Sequence, residues 1–392
     1  MRRQTFYKLL ILALTAAVCL ALLRWRAAGG LGGGTGGAGH GRDQGGALGH
    51  GAAVGSARTL PSELPGTVLD EATVKALLPH LQTSEWMLYD PVTIVRVRPD
   101  HESKLPWPDH ADGQVVIRTN EHGFREDAPT AEVKSRPRVL VIGDSHTFGL
   151  VNNDESFANR LEVRLAAALP GGAEVINAAT TGTGPYEHLA ALGEHLDLHP
   201  DLVLLVICTG NDFSNAMAYS DFFTKRPWPR LPVDARERFE AARGKAREVM
   251  AQGLSQAFDF SCRPENAEVG LQATVATVER MADLSRERGA RFLVALLPTK
   301  EDVDGDDLPR RRDLAETLMM SPADLALNRT MALLLGATLA QRGIEVLDLL
   351  PALQGHRQPL YWRSDYHLGL AGHEAVAAAL EPRVRELLEP GH

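Results

Sequence analysis

The chain has 392 residues, enough for one large domain with appendages or for two domains, and its apolar and charged fractions of 44% and 23% are those of a globular protein. A net charge of −9 leaves no basic footprint, which argues against nucleic acid as a partner. The three cysteines, Cys19, Cys208 and Cys262, and the absence of any Cys/His cluster at ligand spacing argue against a disulfide framework and a structural zinc site.

Residues 1–28 read as a targeting segment. Arg2, Arg3 and Lys8 precede an uncharged apolar run at 9–23, and Arg24, Trp25 and Arg26 follow it. The run is short for a span of about 20 residues, but counting 6–25 with Lys8 snorkelling it can cross. No small-x-small cleavage site follows directly, which favours an uncleaved signal anchor over a signal peptide. The rest of the chain is then expected to be extracytoplasmic and membrane-tethered, or secreted if the segment is cleaved. Residues 29–58 are a glycine-rich linker: 14 of the 27 residues at 29–55 are glycine. Such a tract has too little apolar surface to order itself and serves as a tether.

Residues 59–137 are expected to form an accessory segment packed on the main domain, as an antiparallel flap or edge. A short helix fits 69–81, and 92–97 and Gln114–Arg118 are strand-like. Pro99, Pro106 and Pro108 mark loop between them. Gly123 suits a turn and Phe124 a plug into the core.

From 138 to 392 strands and helices alternate. Strands are expected at 139–142, Glu174–Asn177, Leu202–Cys208, Arg291–Leu297 and 344–348. Helices are expected at 155–169, 185–197, 267–289, 322–342 and 371–388. Alternation of this kind predicts an α/β fold, a three-layer α/β/α sandwich with a mostly parallel sheet. Residues 213–266 are a helical insertion into that pattern. Its aromatics Tyr219, Phe222, Phe223 and Trp228 read as packing or as the lining of a substrate groove, and a charged helical run follows at 233–260.

Four short motifs fall at expected strand ends or before the last helix. They are Gly143-Asp144-Ser145, a loop containing Gly182, Gly210-Asn211-Asp212, and Asp365-Tyr366-His367. The ends of parallel strands share one edge, so these loops can meet despite their separation. The residue types suit acyl transfer. Ser145 is a nucleophile that needs a base, His367 can be that base, and Asp365 can orient its ring. The Ser145 N–H, the Gly182 N–H and the Asn211 amide can stabilise an oxyanion. Asp144 and Asp212 read as structural, bonding to loop backbone. His146, next to the nucleophile, is expected to point elsewhere, and His373 to cap or pack.

In that order the four motifs resemble the blocks of the SGNH (GDSL-type) hydrolase superfamily. Asn120-x-x-Gly123-Phe124-Arg125 and His367-Leu368-x-x-x-Gly372-His373 resemble bacterial members of it, and the likeness spans roughly 85–390. The resemblance implies a flavodoxin-like sandwich, a Ser145/His367/Asp365 site, oxyanion partners at Gly182 and Asn211, and no metal or other cofactor. One departure stands out: Ser364 occupies the position three before the histidine where many members carry Asp, and Asp365 lies two before. That spacing, with Pro298-Thr299-Lys300 and Tyr361, is similar to the alginate O-acetyltransferase branch.

The expected activity is a serine esterase acting on an O-acyl ester, O-acetyl on a glycan by family analogy. An O-acyltransferase using the same residues and an inactive, tethered glycan-binding protein are the alternatives.

Overall fold

The structure is a computed structural model that describes residues 69–227, 229–245, 252–304 and 309–389. The expected anchor at 1–28, the linker at 29–58 and Trp228 lie outside the described residues. Among the described residues no helix is long and apolar enough to cross a membrane.

Nine strands are described. β1 (Met87–Asp90) pairs with β2 (Ile94–Val97), and β3 (Glu102–Pro106) with β4 (Gln114–Arg118), as two separate antiparallel ribbons. The five remaining strands are β5 (Arg138–Ile142), β6 (Glu174–Asn177), β7 (Leu202–Cys208), β8 (Arg291–Leu297) and β9 (Glu345–Asp348). They form one parallel sheet in the order β6-β5-β7-β8-β9. This is the flavodoxin-like order. The chain reverses direction across the sheet at β5, and in such folds ligands bind at that switch point.

The sheet is covered on both faces, which is why its strands read as unbroken apolar runs. Leu140, Ile142, Val203, Leu205 and Ile207 face one core with helices Pro185–His195, Pro264–Glu287 and Leu327–Gln341. The alternate residues Val139, Val141, Leu202, Leu204 and Val206 face a second core with helices Phe157–Ala168 and Leu370–Leu388. Period-two alternation therefore produces the three layers.

The structure departs from the sequence reading in several places. The expected loop around the prolines contains β3, whose exposure alternates along its length. Pro106 ends that two-stranded ribbon, a position where the missing N–H costs no ladder bond. The expected helix at 322–342 breaks at Ala326 into Pro322–Leu325 and Leu327–Gln341. The charged run at 233–260 is two helices, Val233–Lys245 and Gly253–Cys262. The insertion begins with another helix, Asp212–Thr224, and there Tyr219 stacks on Tyr186 at 5.2 Å and joins the core. Tyr219 therefore packs, and Phe222 and Phe223 lie against the same core.

The accessory segment is tied into the domain. Gly123 has φ +82, and a Cβ there would lie 2.4 Å from the Val97 carbonyl oxygen. Phe124 is buried in the core, as expected. Arg125 is fully buried, and its guanidinium donates to Phe148 O at 2.8 Å, Gly149 O at 2.5 Å, Val151 O and Asn153 Oδ1 at 2.7 Å. Burial pulls that guanidinium down to about 9.

Candidate active site

Gly143 follows β5, and a Cβ there would lie 2.2 Å from Thr147 Oγ1, so only glycine lets the chain close this turn. Asp144 then caps the four-residue helix Ser145–Phe148, its Oδ1 accepting from the His146 N–H at 2.9 Å. Ser145 is thus the first helical residue, and its N–H is among those a helix start leaves without an intrahelical acceptor.

The four motifs meet at this edge. Ser145 Oγ lies 2.7 Å from His367 Nε2, and His367 Nδ1 lies 2.5 Å from Asp365 Oδ1. A carboxylate only accepts, so the Nδ1 proton points at Asp365 and the Nε2 lone pair faces the serine hydroxyl. The same Asp365 oxygen accepts the His367 backbone N–H at 2.8 Å, so a spacing of two suffices to seat the ring. Burial pushes the Asp365 carboxyl up. Its hydrogen bonds to His367 and the charge of that ring outweigh burial and hold it below its usual value.

The loop carrying Asp365 and His367 is braced from three sides. Tyr361 and Leu368 form an antiparallel bridge across its base. Tyr361 Oη donates to Pro298 O at 2.6 Å, and Lys300 Nζ to Trp362 O at 2.5 Å. Asp109, from the accessory segment, accepts both the N–H and the hydroxyl of Ser364 at 2.7 and 2.8 Å.

The Gly182 loop is drawn to the Gly143–Ser145 turn by Thr180 N–H donating to Gly143 O at 3.1 Å. Gly182 has φ +69, and a Cβ there would lie 2.4 Å from His80 Nε2. Asn211 Nδ2 donates to Asp144 Oδ2 at 3.1 Å, which links the third motif to the first. Asp212 Oδ2 accepts the Cys208 N–H at 2.8 Å. Burial and the nearby Asp144 push the Asp212 carboxyl well up, in keeping with a structural role. Gly182 and Asn211 both line an open cavity of about 520 Å³, together with Leu77 and His80 and with Phe239 and Phe258 of the insertion.

The two neighbouring histidines behave differently from each other. His373 is buried, and its Nδ1 accepts the Phe157 N–H at 3.1 Å, so it caps a helix as expected. His146 does not turn away from the site. Its ring lies 4.6 Å from the His367 ring, and its Nε2 lies 2.8 Å from Gln252 Oε1. Burial first, then the charge of His367, hold His146 below its ordinary value, which disfavours its charged form. No spacing rule in the sequence brings Gln252 to this place. Arg125 is visible there only as the last residue of a motif.

Asp144, His146 and Cys208 have possible ligand atoms within 4.8 Å of one another. The Asp144 oxygens already take the His146 N–H and the Asn211 amide, and burial pushes the Cys208 thiol up. A cation there would have to displace these bonds and deprotonate the thiol. What the arrangement can do is pass a hydroxyl proton to an imidazole held by a carboxylate, beside backbone and amide donors. That is the equipment of acyl transfer.

The sequence profile of the GDSL-like lipase/acylhydrolase family matches residues 141–375. No curated protein matches the chain. Among solved structures, the chain is similar to the lipase/acylhydrolase from Enterococcus faecalis, with 17% identity over 65% of this chain and 99% of that one and a TM-score of 0.37. It is also similar to a carbohydrate acetylesterase family member from Sinorhizobium meliloti, with 17% identity over 64% and 99% and a TM-score of 0.37. A third is a catalytic mutant of an acetylxylan esterase from Geobacillus stearothermophilus, with 17% identity over 66% and 96% and a TM-score of 0.35.

Proposed function

Because the chain belongs to the GDSL-like lipase/acylhydrolase family of the SGNH superfamily, and so is a carboxylic ester hydrolase, we propose that Ser145 is its nucleophile, His367 its base and Asp365 the residue that orients the base. The observation that supports this is the unbroken line of contacts from Ser145 Oγ through His367 to Asp365. Ser145 Oγ attacks the ester carbonyl carbon as its proton passes to His367 Nε2. Negative charge on the carbonyl oxygen is met by the Ser145 and Gly182 N–H groups and the Asn211 amide. Collapse expels the alcohol, which takes the proton back from His367. Water then repeats the sequence on the acyl-serine and releases the acid.

We further propose that the substrate is a small O-acyl ester, O-acetyl, carried on a glycan. An acetyl group fills little of a cavity of about 520 Å³, so the rest of the substrate has room beside Gly182 and Asn211. The walls combine Leu77, Phe239 and Phe258 with Asn215 and Ser255. Sugar rings present apolar C–H faces and hydroxyl edges to walls of that kind. The N-terminal apolar segment supports a membrane-anchored, extracytoplasmic enzyme.

The test is hydrolysis of p-nitrophenyl acetate and acetate release from an acetylated polysaccharide by wild type and Ser145→Ala. Ser145-dependent release from both is expected. Wild type that is inert to both substrates and to a fluorophosphonate probe overturns the reading. Acetate appearing on an added glycan acceptor instead of in solution assigns the same residues to an O-acyltransferase.

A further inference from the structure

The inserted helix Gly253–Cys262 reaches the site through two glutamines one turn apart. Gln256 is buried and fully engaged. Its Oε1 accepts the Ser214 N–H at 2.9 Å, and its Nε2 donates to Thr209 O at 2.8 Å and to Asn328 Oδ1 at 2.9 Å. Asn328 in turn donates to Gly253 O at 2.7 Å. The start of the helix is thereby clamped to the loop that carries Asn211. Gln252 sits at that start with φ 57 and ψ −112, a conformation that glycine adopts far more readily than glutamine. Its side chain ends on His146 Nε2 at 2.8 Å. Strained backbone at a non-glycine residue persists where surrounding contacts impose it, and it clusters at functional sites.

His146 is the floor under the His367 ring. It is 2% exposed and tilted 39° against that ring. Tyr361 and Tyr366, each 6.4 Å away, complete its aromatic surround. Asp144, Asp365, Cys208 and His373 are further titratable groups near it, besides Tyr366 and His367. Its Nδ1 has no hydrogen-bond partner among the described residues, so Gln252 is its one polar anchor there. With the amide oxygen facing the ring, the His146 proton sits on Nε2, and the ring can neither flip nor rotate without losing that bond.

We propose that Gln252 is a positioning residue: it fixes the tautomer and orientation of His146 against His367, so that the inserted helix sets the seat of the base. This rests on His367 being the base. The insertion is then part of the catalytic architecture as well as a wall of the cavity. Gln252 acts through His146 and need not touch the reacting atoms.

The experiment compares wild type, Gln252→Ala and Gln252→Glu by ester hydrolysis across pH, by melting temperature and by long-range ¹H–¹⁵N spectra of the histidine rings. In Gln252→Ala, kcat is expected to fall between about tenfold and a hundredfold with KM little changed, because a displaced base costs rate more than binding. The loss should be equal at every pH, and the His146 signal should turn from a single Nε2–H tautomer into a mixture. In Gln252→Glu the carboxylate still accepts the Nε2 proton, but it favours a charged His146. A cation beside His367 opposes the imidazolium that forms as serine attacks, so the loss should be deepest at acid pH and shrink as pH rises.

Wild-type kcat in Gln252→Ala, or an unchanged His146 tautomer, overturns the proposal. So does a loss equal in both variants at all pH values and tracking the melting temperature, which is what a merely structural role gives. If wild type shows no Ser145-dependent hydrolysis or probe labelling, the triad reading fails. The ring spectra then still report whether Gln252 governs His146.

Discussion

The loop that carries Asp365 and His367 and the inserted helix that begins after Gln252 both deliver a polar side chain to a histidine at the sheet edge. They do so by opposite means. Asp365 is two residues from its histidine and offers it a charge, so the contact is local and electrostatic. Gln252 lies 106 positions from His146 and offers a neutral amide, held in place by a strained backbone and a clamped helix. The charged partner suits a ring that, as the proposed base, becomes an imidazolium in mid-reaction. The neutral partner suits a ring 4.6 Å away that must not. Two imidazoles in contact cannot both carry charge cheaply, and their partners assign which one does.

The largest effect expected is from Ser145→Ala, which should lower kcat by several orders of magnitude in the p-nitrophenyl acetate assay while leaving the melting temperature nearly unchanged. Asp365→Asn comes next, with a fall of about 10³- to 10⁴-fold, because the amide no longer enforces the Nδ1–H tautomer of His367. If Asp365→Asn costs no more than Gln252→Ala, the contrast between a charged and a neutral partner collapses. Asp109→Ala removes the acceptor that ties down Ser364, a net loss of about 1 kcal/mol of loop restraint. It should change kcat by only a few-fold, read in the same assay.

The smallest effect is on pH-dependent stability. The Asp365 carboxyl is held low in the folded chain, so its contribution is present above the unfolded Asp value of about 3.9 and is lost as pH falls through the folded value. Urea unfolding between pH 3 and pH 7 should show the gap between wild type and Asp365→Asn closing below about pH 4. The gap for Gln252→Ala involves no carboxylate and should not close there.

The central sheet was legible because its strands are covered on both faces and leave continuous apolar runs, as at Leu202–Cys208. The meeting of Ser145 with His367 and Asp365 was legible because they sit in two small motifs, one after β5 and one before the last helix, that the α/β topology can bring to one edge. β3 was not legible. It is a surface ribbon strand of Glu, Ser, Lys, Leu and Pro, with too little apolar alternation to stand out against its proline. The start of the helix at Gly253 is held through Gln256, whose contacts to Thr209 and Asn328 span 47 and 72 positions and leave no local period. His146 was misread for a related reason. Nothing about a residue next to Ser145 reveals that its ring will lie 4.6 Å from another ring carried 221 positions later by the chain.

Arg125 bears on how such a protein can be cut and recombined. It belongs to the stretch before β5, yet it donates to the carbonyls of Phe148, Gly149 and Val151, which close the turn behind Ser145. A gene fragment starting at residue 138 would encode all five strands of the parallel sheet with Ser145, His367 and Asp365, and would leave those carbonyls without the Arg125 guanidinium. The Ser364 clasp on Asp109 would go with it. The sheet and its serine are therefore not a portable cassette. A crossover that preserves the turn has to fall upstream of Asn120, so that the arginine travels with the serine it supports.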